Sequence, residues 1–291
     1  MKRKLEILIT AGGTSEKIDD VRRITNSGTG RLGAMAAEAF AASGRDVNIT
    51  YICSEGAVRP QIEGARVCEE GGLPASDGGG TLACDEGGPL VRLYIADDVR
   101  AVRDAVLRAC NETAFDIIVH SMAIGDYQVR AVSDAGLMTG VVIERLSLLA
   151  CGDSSSPEEA VRDALLSPPG FKEAKISSDK ENLIVVLEKA PKIIALFRGL
   201  LPGAVIVGFK LLSGASEEEL VRAGHGLLQK NDCDFVLAND MHTVRSGRHE
   251  GLLIARDGSF ERAEGKGAIA SLIVERTLER AGKSSPALLQ E

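Results

Sequence analysis

Apolar residues along this chain fall into two alternating kinds of run. Short, β-branched runs at Leu5–Thr10, Asp46–Cys53, Val91–Ile95, Phe115–His120, Asn182–Leu187, Ala204–Phe209 and Phe235–Ala238 read as strands. Between them lie stretches with helical spacing: Leu32–Ser43 closed by Gly44, Asp97–Cys110 with an acidic start, Pro191–Leu200, and Glu217–Lys230. Ser216 and Glu219 have the spacing of a capping box. Gly251–Ala255 adds a strand, and a last helix near Ala268–Ala281 is followed by Gly282 as its stop. Strand and helix in regular alternation predict an α/β fold, a Rossmann-like, mostly parallel sheet with flanking helices.

Two stretches break the alternation. Residues 56–90 hold Gly71-Gly72, Gly78-Gly79-Gly80 and Gly87-Gly88 among Glu63, Glu69, Glu70, Asp77, Asp85 and Glu86, with little apolar surface to bury, and read as a mobile surface insertion. Residues 129–174 join an apolar patch at 140–150, a polar stretch at 151–159 and a break at Ser167-Pro168-Pro169-Gly170, and read as a lid or a dimerisation arm. With no repeat and no clean linker, the simplest organisation is a single domain with two insertions.

The connection from the first strand to the first helix is longer than packing needs. ILITAGGTSEKIDDVRRITNSGTGRLG places some twenty residues, mostly glycine, hydroxyl, charge and amide, where an α/β unit ordinarily uses about two to six. Gly12-Gly13 lets backbone approach a ligand closely. Asn26-Ser27-Gly28-Thr29-Gly30-Arg31 opens a helix, whose free N–H groups favour an anion, with Arg22, Arg23 and Arg31 as charged partners. Gly28, Gly30 and Gly33 also match GxGxxG, but far beyond the strand end instead of in the tight turn a dinucleotide fold uses.

Composition narrows the classes. The net charge of −8 argues against a nucleic-acid partner. No run has the length of a membrane span and the first residues lack a signal-peptide pattern, so the expectation is a cytoplasmic protein with no membrane partner. Cys53, Cys68, Cys84, Cys110, Cys151 and Cys233 are scattered without a CxxC pair or zinc spacing, which predicts reduced structural thiols and assigns no metal ligands.

The runs ITAGGTSEKIDDVRRITNSGTGRLG, HSMAIGDY, AKISS, EKAPKII, GFKLL and KNDCDFVLAND, in this order over nearly the whole chain, resemble phosphopantothenate–cysteine ligase of coenzyme A synthesis. The early start of the first motif resembles the monofunctional form more than the one fused to a flavin-dependent decarboxylase. The resemblance implies 4′-phosphopantothenate and L-cysteine as substrates and a nucleoside triphosphate, CTP or ATP, as co-substrate with Mg2+. The carboxylate is activated on the α-phosphate with release of pyrophosphate, and the cysteine amine then displaces the nucleoside monophosphate. A homodimer is implied as well.

Residue by residue, the resemblance makes Asn26 the amide that steadies the acyl-nucleotide intermediate and Lys175 the lysine of a flap closing over the triphosphate. Asp126, Ser121 and Met122 match nucleotide contacts, and so do Pro191, Lys192, Ile193 and Ile194. Phe209 matches a residue on the base; Lys230 and Asn231 match a phosphate-side pair. Gly12 and Gly13 belong to the nucleotide loop and Arg31 to the substrate side. Gly226 replaces a basic residue of many bacterial members, so one triphosphate contact is either missing or supplied by Lys210. CTP is favoured over ATP. His120 and Cys233 lack an evident partner for acid–base or nucleophilic work and read as structural. Two other classes stay open: an NAD(P)-binding oxidoreductase built on Gly28, Gly30 and Gly33, and a non-catalytic nucleotide-binding module.

Overall fold

The computed structural model describes residues 3–70, 88–150, 156–171 and 173–284. Cys84, Cys151 and the glycine runs at 71–72 and 78–80 lie outside the described residues. In chain order the elements are β1 (Leu5–Ala11), β2 (Ser15–Lys17), β3 (Arg23–Thr25), α1 (Arg31–Ala41), β4 (Val47–Cys53), β5 (Arg66–Glu70) and β6 (Leu90–Ile95). Next come α2 (Val99–Glu112), β7 (Ile117–His120), β8 (Tyr127–Ser133), α3 (Ala135–Ala150), α4 (Pro157–Leu166) and β9 (Ile184–Lys189). The chain continues with α5 (Ile194–Leu200), β10 (Val205–Leu212), α6 (Glu217–Asn231), β11 (Phe235–Asp240), α7 (Met241–Arg245), β12 (Glu250–Ala255), β13 (Phe260–Glu264) and α8 (Lys266–Ser284).

These elements form two compact units, one within Met1–Thr14, Asn26–Ile124 and Lys192–Glu291, the other Ser15–Thr25 with Gly125–Pro191. The first unit is built on a nine-stranded sheet in the order β13-β12-β11-β10-β7-β1-β4-β6-β5. Its strands are parallel except for β12 and β13, which pair antiparallel at one edge. Ile117, Ile118 and Val119 of β7 are all fully buried, as a strand covered on both faces requires. Alternation then sorts the helices: Leu237 and Leu253 join the core shared with Phe40 of α1 and Ile273 of α8, while Ala238 and Leu252 pack with Leu220 of α6. The first crossover runs from β1 to β4 on one side, and the later strands β7 and β10 add on the other side of β1. Strand order therefore reverses between β1 and β7, where such sheets open a ligand crevice beyond their carboxyl ends.

The second unit holds the antiparallel pairs β2–β3 and β8–β9, with α3 packed on α4. Its hairpin turn is organised by Asp19, whose carboxylate accepts the N–H groups of Val21 at 2.8 Å and Arg22 at 2.7 Å. The same carboxylate accepts the Ile176 N–H at 3.3 Å, Asp20 N–H donates to the Ala174 carbonyl at 2.9 Å, and Arg22 donates to the Ile176 carbonyl at 2.8 Å. Burial alone would raise the Asp19 pKa, but these N–H donors and Arg22 outweigh it and hold the group below its usual value.

Several sequence expectations change. The long polar connection is not all loop, because Ser15–Lys17 and Arg23–Thr25 pair as a hairpin inside it. Part of the stretch read as a mobile insertion is the edge strand β5, parallel to β6; its alternation Arg66-Val67-Cys68 is too short to stand out from the glycines after it. The apolar patch in 129–174 belongs to α3, and Ser156 with Glu159 caps α4. The last helix runs past Gly282 to Ser284, since Gly costs only about 1 kcal/mol inside a helix and does not by itself end one. Helix α5 starts at Ile194, three residues after Pro191.

Candidate functional site

Beyond the carboxyl ends of β1 and β7 the first unit holds a cleft of about 310 Å3. The residue that follows β1, Gly12, has φ +96°, and a Cβ there would lie 2.4 Å from Ser54 Oγ. At Gly13 a Cβ would lie 2.0 Å from the Asn26 carbonyl oxygen, and at Gly28 it would lie 2.4 Å from the Gly12 carbonyl oxygen. Gly13 and Gly28 thus admit the returning backbone of the same loop, and Gly12 admits the Ser54–Ala57 segment after β4. The ladder confirms it: Asn26 N–H donates to the Thr14 carbonyl at 2.9 Å, Thr14 N–H to the Ala123 carbonyl at 3.1 Å, and Ala123 N–H to the Gly12 carbonyl at 2.8 Å. The loop is thus clamped to the segment after β7.

Asn26 sits in this clamp, half-buried, its Nδ2 donating to the Ala123 carbonyl at 3.1 Å. One Nδ2 hydrogen and the Oδ1 lone pairs are left for other partners. Ser121 donates from both N–H (3.0 Å) and Oγ (2.7 Å) to the Thr10 carbonyl, which fixes the Ser121-Met122 backbone along the cleft. Gly28, Thr29, Gly30 and Arg31 bring the start of α1 to the rim. Gly30 is the N-cap with φ +72°, a conformation glycine adopts freely, and it offers no side chain to cap the helix. The far wall is Phe209 and Leu211 of β10, Asn239 of β11, Val244 of α7, then His249, Lys266 and Ile269. The Asp240 carboxylate anchors that wall by accepting Ala215 N–H at 2.9 Å and His242 N–H at 2.8 Å; the Ala215 bond, followed by that of His242, holds its pKa low against burial.

Of the residues singled out in the sequence, Gly12, Ser121, Met122, Phe209 and Arg31 line this cleft, with Asn26 and Gly13 in its supporting ladder. Ile193 and Ile194 start α5, where Ile193 is buried and Ile194 packs against Gly208. Lys192 precedes them, exposed. Two lysines are not brought to the cleft. Lys210 alternates with Phe209 and Leu211 and projects from the other face of β10. Lys230 is in the last turn of α6, just before the chain enters β11 at its amino end, so it lies at the opposite edge of the sheet. Asp126, Pro191 and Lys175 belong to the second unit. There Asp126 carbonyl accepts Ala190 N–H at 3.0 Å, and the exposed Lys175 stands between Ala174 and Ile176, both tied to the hairpin turn. The sequence reading did not single out Asn239, although it lies within the KNDCDFVLAND run, nor Val244, His249 and Lys266; for the last, a lysine opening an amphipathic helix after Gly265, with no acid in the first turn, was the available signal.

His120 is buried, bonded from Nδ1 to Thr10 Oγ1 at 2.7 Å and edge-on to Phe197 with ring centroids 5.2 Å apart. Burial pushes its pKa down to about 4, so it is a neutral structural imidazole at neutral pH. Cys233 is likewise buried, its thiol pushed up to about 11 by burial, far from thiolate chemistry. The described cysteines Cys53, Cys68, Cys110 and Cys233 are free. Among the described residues no group of three or more His, Cys, Asp or Glu could hold a metal ion, and no helix is long and apolar enough to cross a membrane.

Comparison with known proteins agrees with this architecture. The chain is 25% identical over 251 residues to the coenzyme A biosynthesis bifunctional protein CoaBC of Thermococcus kodakarensis, covering 86% of this chain and 45% of that one. To the CoaBC protein of Methanocaldococcus jannaschii it is 26% identical over 237 residues, covering 81% of this chain and 40% of that protein. The chain thus spans less than half the length of these curated relatives. A solved structure, the DNA/pantothenate metabolism flavoprotein from Streptococcus pneumoniae, superposes with a TM-score of 0.68 at 26% identity, over 95% of this chain and 99% of that chain. Residues 2–69 and 160–280, more than half of the chain, match one family, and the protein belongs to it: the DNA/pantothenate metabolism flavoprotein C-terminal domain family.

Proposed function

We propose that this protein is a phosphopantothenate–cysteine ligase of coenzyme A biosynthesis. The observation that carries the reading is the family match together with the Asn26 loop, clamped over the crevice where strand order reverses. The carboxylate of 4′-phosphopantothenate attacks the α-phosphorus of a nucleoside triphosphate, the bond to the β-phosphate oxygen breaks, and pyrophosphate leaves. The amine of L-cysteine then attacks the acyl carbon, loses a proton, and releases the nucleoside monophosphate as the amide forms.

In this scheme the free Nδ2 hydrogen of Asn26 donates to the oxygen that gains charge as the acyl carbon becomes tetrahedral. Its bond to Ala123 pre-orients the amide for that task. Met122 and Phe209 form the apolar side of the nucleotide slot, with Ser121 and Gly12 along its backbone. By the resemblance, Lys175 is the flap lysine and Asp126 a nucleotide contact, as are Lys192, Ile193 and Ile194, with Arg31 on the substrate side. The nucleotide we assign is CTP ahead of ATP, following the resemblance to bacterial ligases. Mg2+ enters with the triphosphate: the ion commonly uses substrate phosphates and water with only one or two carboxylates, so no protein cage is required. We further read the enzyme as a cytoplasmic homodimer; the exposed apolar side chains Ile143, Leu165 and Leu166 of α3 and α4 support self-association.

The test is pyrophosphate release from CTP and from ATP, each with Mg2+ and 4′-phosphopantothenate, with and without cysteine. Release that depends on 4′-phosphopantothenate, and an amide product on adding cysteine, is the expected result. Silence with both nucleotides would refute the assignment.

A further inference from the structure

The hairpin β2–β3 gains little of its order from apolar packing. Val21 at its turn is 66% exposed and Ile24 of β3 is 41% exposed. A two-stranded hairpin alone is marginally stable at best, and ordering one costs backbone entropy. What this hairpin buries is a charge: the Asp19 side chain is fully shielded from solvent. A buried carboxylate is costly unless its oxygens are satisfied, and the two oxygens of Asp19 have different tasks. Oδ1 closes the turn by accepting the Val21 and Arg22 N–H groups at 2.8 and 2.7 Å. Oδ2 accepts the N–H of Ile176, 157 residues along the chain, at 3.3 Å, with Arg22 Nε 3.6 Å away.

Three bonds from this one turn bracket a single residue. The Ala174 carbonyl accepts the Asp20 N–H at 2.9 Å, the Ile176 N–H goes to Asp19, and the Ile176 carbonyl accepts the Arg22 guanidinium at 2.8 Å. Residues 174–176 belong to no helix or strand, so no ladder of their own holds them. Ile176 is buried, whereas Lys175 before it is exposed. The Lys175 backbone is therefore fixed on both sides, and the side chain carries the remaining freedom. A cation mounted on a fixed backbone loses less entropy on gripping an anion than one on an unanchored loop. The same bonds give the long connection from β1 to α1 a purpose, since the hairpin inside it supplies all three.

We propose that Asp19 is a positioning residue for Lys175: the β2–β3 hairpin is a latch that holds the backbone on both sides of the lysine, so that its ammonium is aimed before the triphosphate arrives. Asp19 touches neither substrate nor nucleotide in this scheme and acts only through the segment it holds. Lys175 then moves with the hairpin and not independently of it. This inference rests on the ligase reading above, which gives Lys175 its role, and adds the residue that sets the lysine in place.

Asp19→Asn in the full chain tests it, because Asn keeps the turn and loses the latch. Its carbonyl still accepts the Val21 and Arg22 N–H groups, while its NH2 is turned toward the Ile176 N–H and cannot accept from it. Amide exchange followed by NMR should show the Ile176 N–H exchanging at least about 10-fold faster, with β10 and β11 unchanged. The KM for CTP or ATP should rise about 10-fold, the worth of one charged hydrogen bond, and the KM for cysteine should stay as it is. In a Lys175→Ala background the same substitution should change the triphosphate KM by less than about 2-fold, since the lysine it positions is gone. An equal factor in both backgrounds, or an Ile176 N–H that exchanges as in wild type, would overturn the inference. If the wild-type chain makes no amide, yet Asp19→Asn weakens triphosphate binding by titration only when Lys175 is present, the ligase reading alone fails. If it makes amide while Asp19→Asn leaves exchange and triphosphate KM unchanged, this inference alone fails.

Discussion

Helices α4 and α6 begin in one way and helices α1 and α8 in another. Ser156 and Ser216 accept the N3 amides of α4 and α6, Glu159 and Glu219 reach back to the cap, and acids fill both first turns. Helix α1 starts from Gly30 with no side-chain cap, α8 follows Gly265, and each presents a cation where the other pair presents glutamates. The first pair closes its N3 amide with a cap side chain, whereas the second begins on the lining of the cleft with a glycine before it and a cation at its first position.

The largest effect should come from breaking the loop's backbone clamp. Gly13→Ala places a Cβ 2.0 Å from the Asn26 carbonyl oxygen, so the ladder must open. We expect a loss of more than about 3 kcal/mol in denaturant unfolding and no amide synthesis. Near-native stability in that variant would break the account of the glycines as packing residues.

Asn26→Asp removes the donor to the Ala123 carbonyl and sets a carboxylate beside the developing oxyanion. Amide formation should fall by about 10²- to 10³-fold. Nucleotide affinity by titration should change little, and wild-type turnover would contradict the assigned role.

His120 offers a test in the core, away from ligand chemistry. Its folded pKa of about 4 lies below the ordinary 6.5, so the unfolded chain binds the proton more tightly. The stability from the neutral ring is fully present above pH 6.5 and is lost as pH falls from there toward 4, about 3 kcal/mol in all. Unfolding of wild type and His120→Asn across this range should show that difference in slope. Parallel curves would mean the ring is not buried neutral.

The smallest effects bear most directly on the contrast between helix starts. Ser216→Ala should cost about 1 kcal/mol and leave nucleotide affinity untouched. Lys266→Glu should do the reverse, gaining about 0.3–1 kcal/mol in denaturant unfolding by placing an acid at the start of α8. If both substitutions destabilise alike, the two kinds of helix start are not different in purpose.

Much of this was legible in the sequence because the periodicity is strong. The parallel strands other than β5, together with α1, α2 and α6, follow their apolar patterns closely, and the Ser216–Glu219 capping box is present as spaced. The ends were read less well, since a last turn that continues through a glycine, as at Gly282, carries no sharp chemical signal. Short elements were hidden for a different reason. The strands β2, β3 and β5 are three to five residues long and gain their order from partners distant in sequence, such as Ile176 for the hairpin turn and β6 for β5. The near side of the cleft was legible because one contiguous motif builds it. The far side draws Asn239, His249 and Lys266 from three separate elements, and only the folded chain brings them to one wall.

The most direct test of the central claim is to incubate the protein with 4′-phosphopantothenate, Mg2+ and either CTP or ATP without cysteine, and to follow the products by mass. The account predicts an acyl-nucleotide that accumulates with pyrophosphate and converts to the cysteine amide once cysteine is added. Nucleotide that binds in the cleft but is never joined to 4′-phosphopantothenate would contradict it.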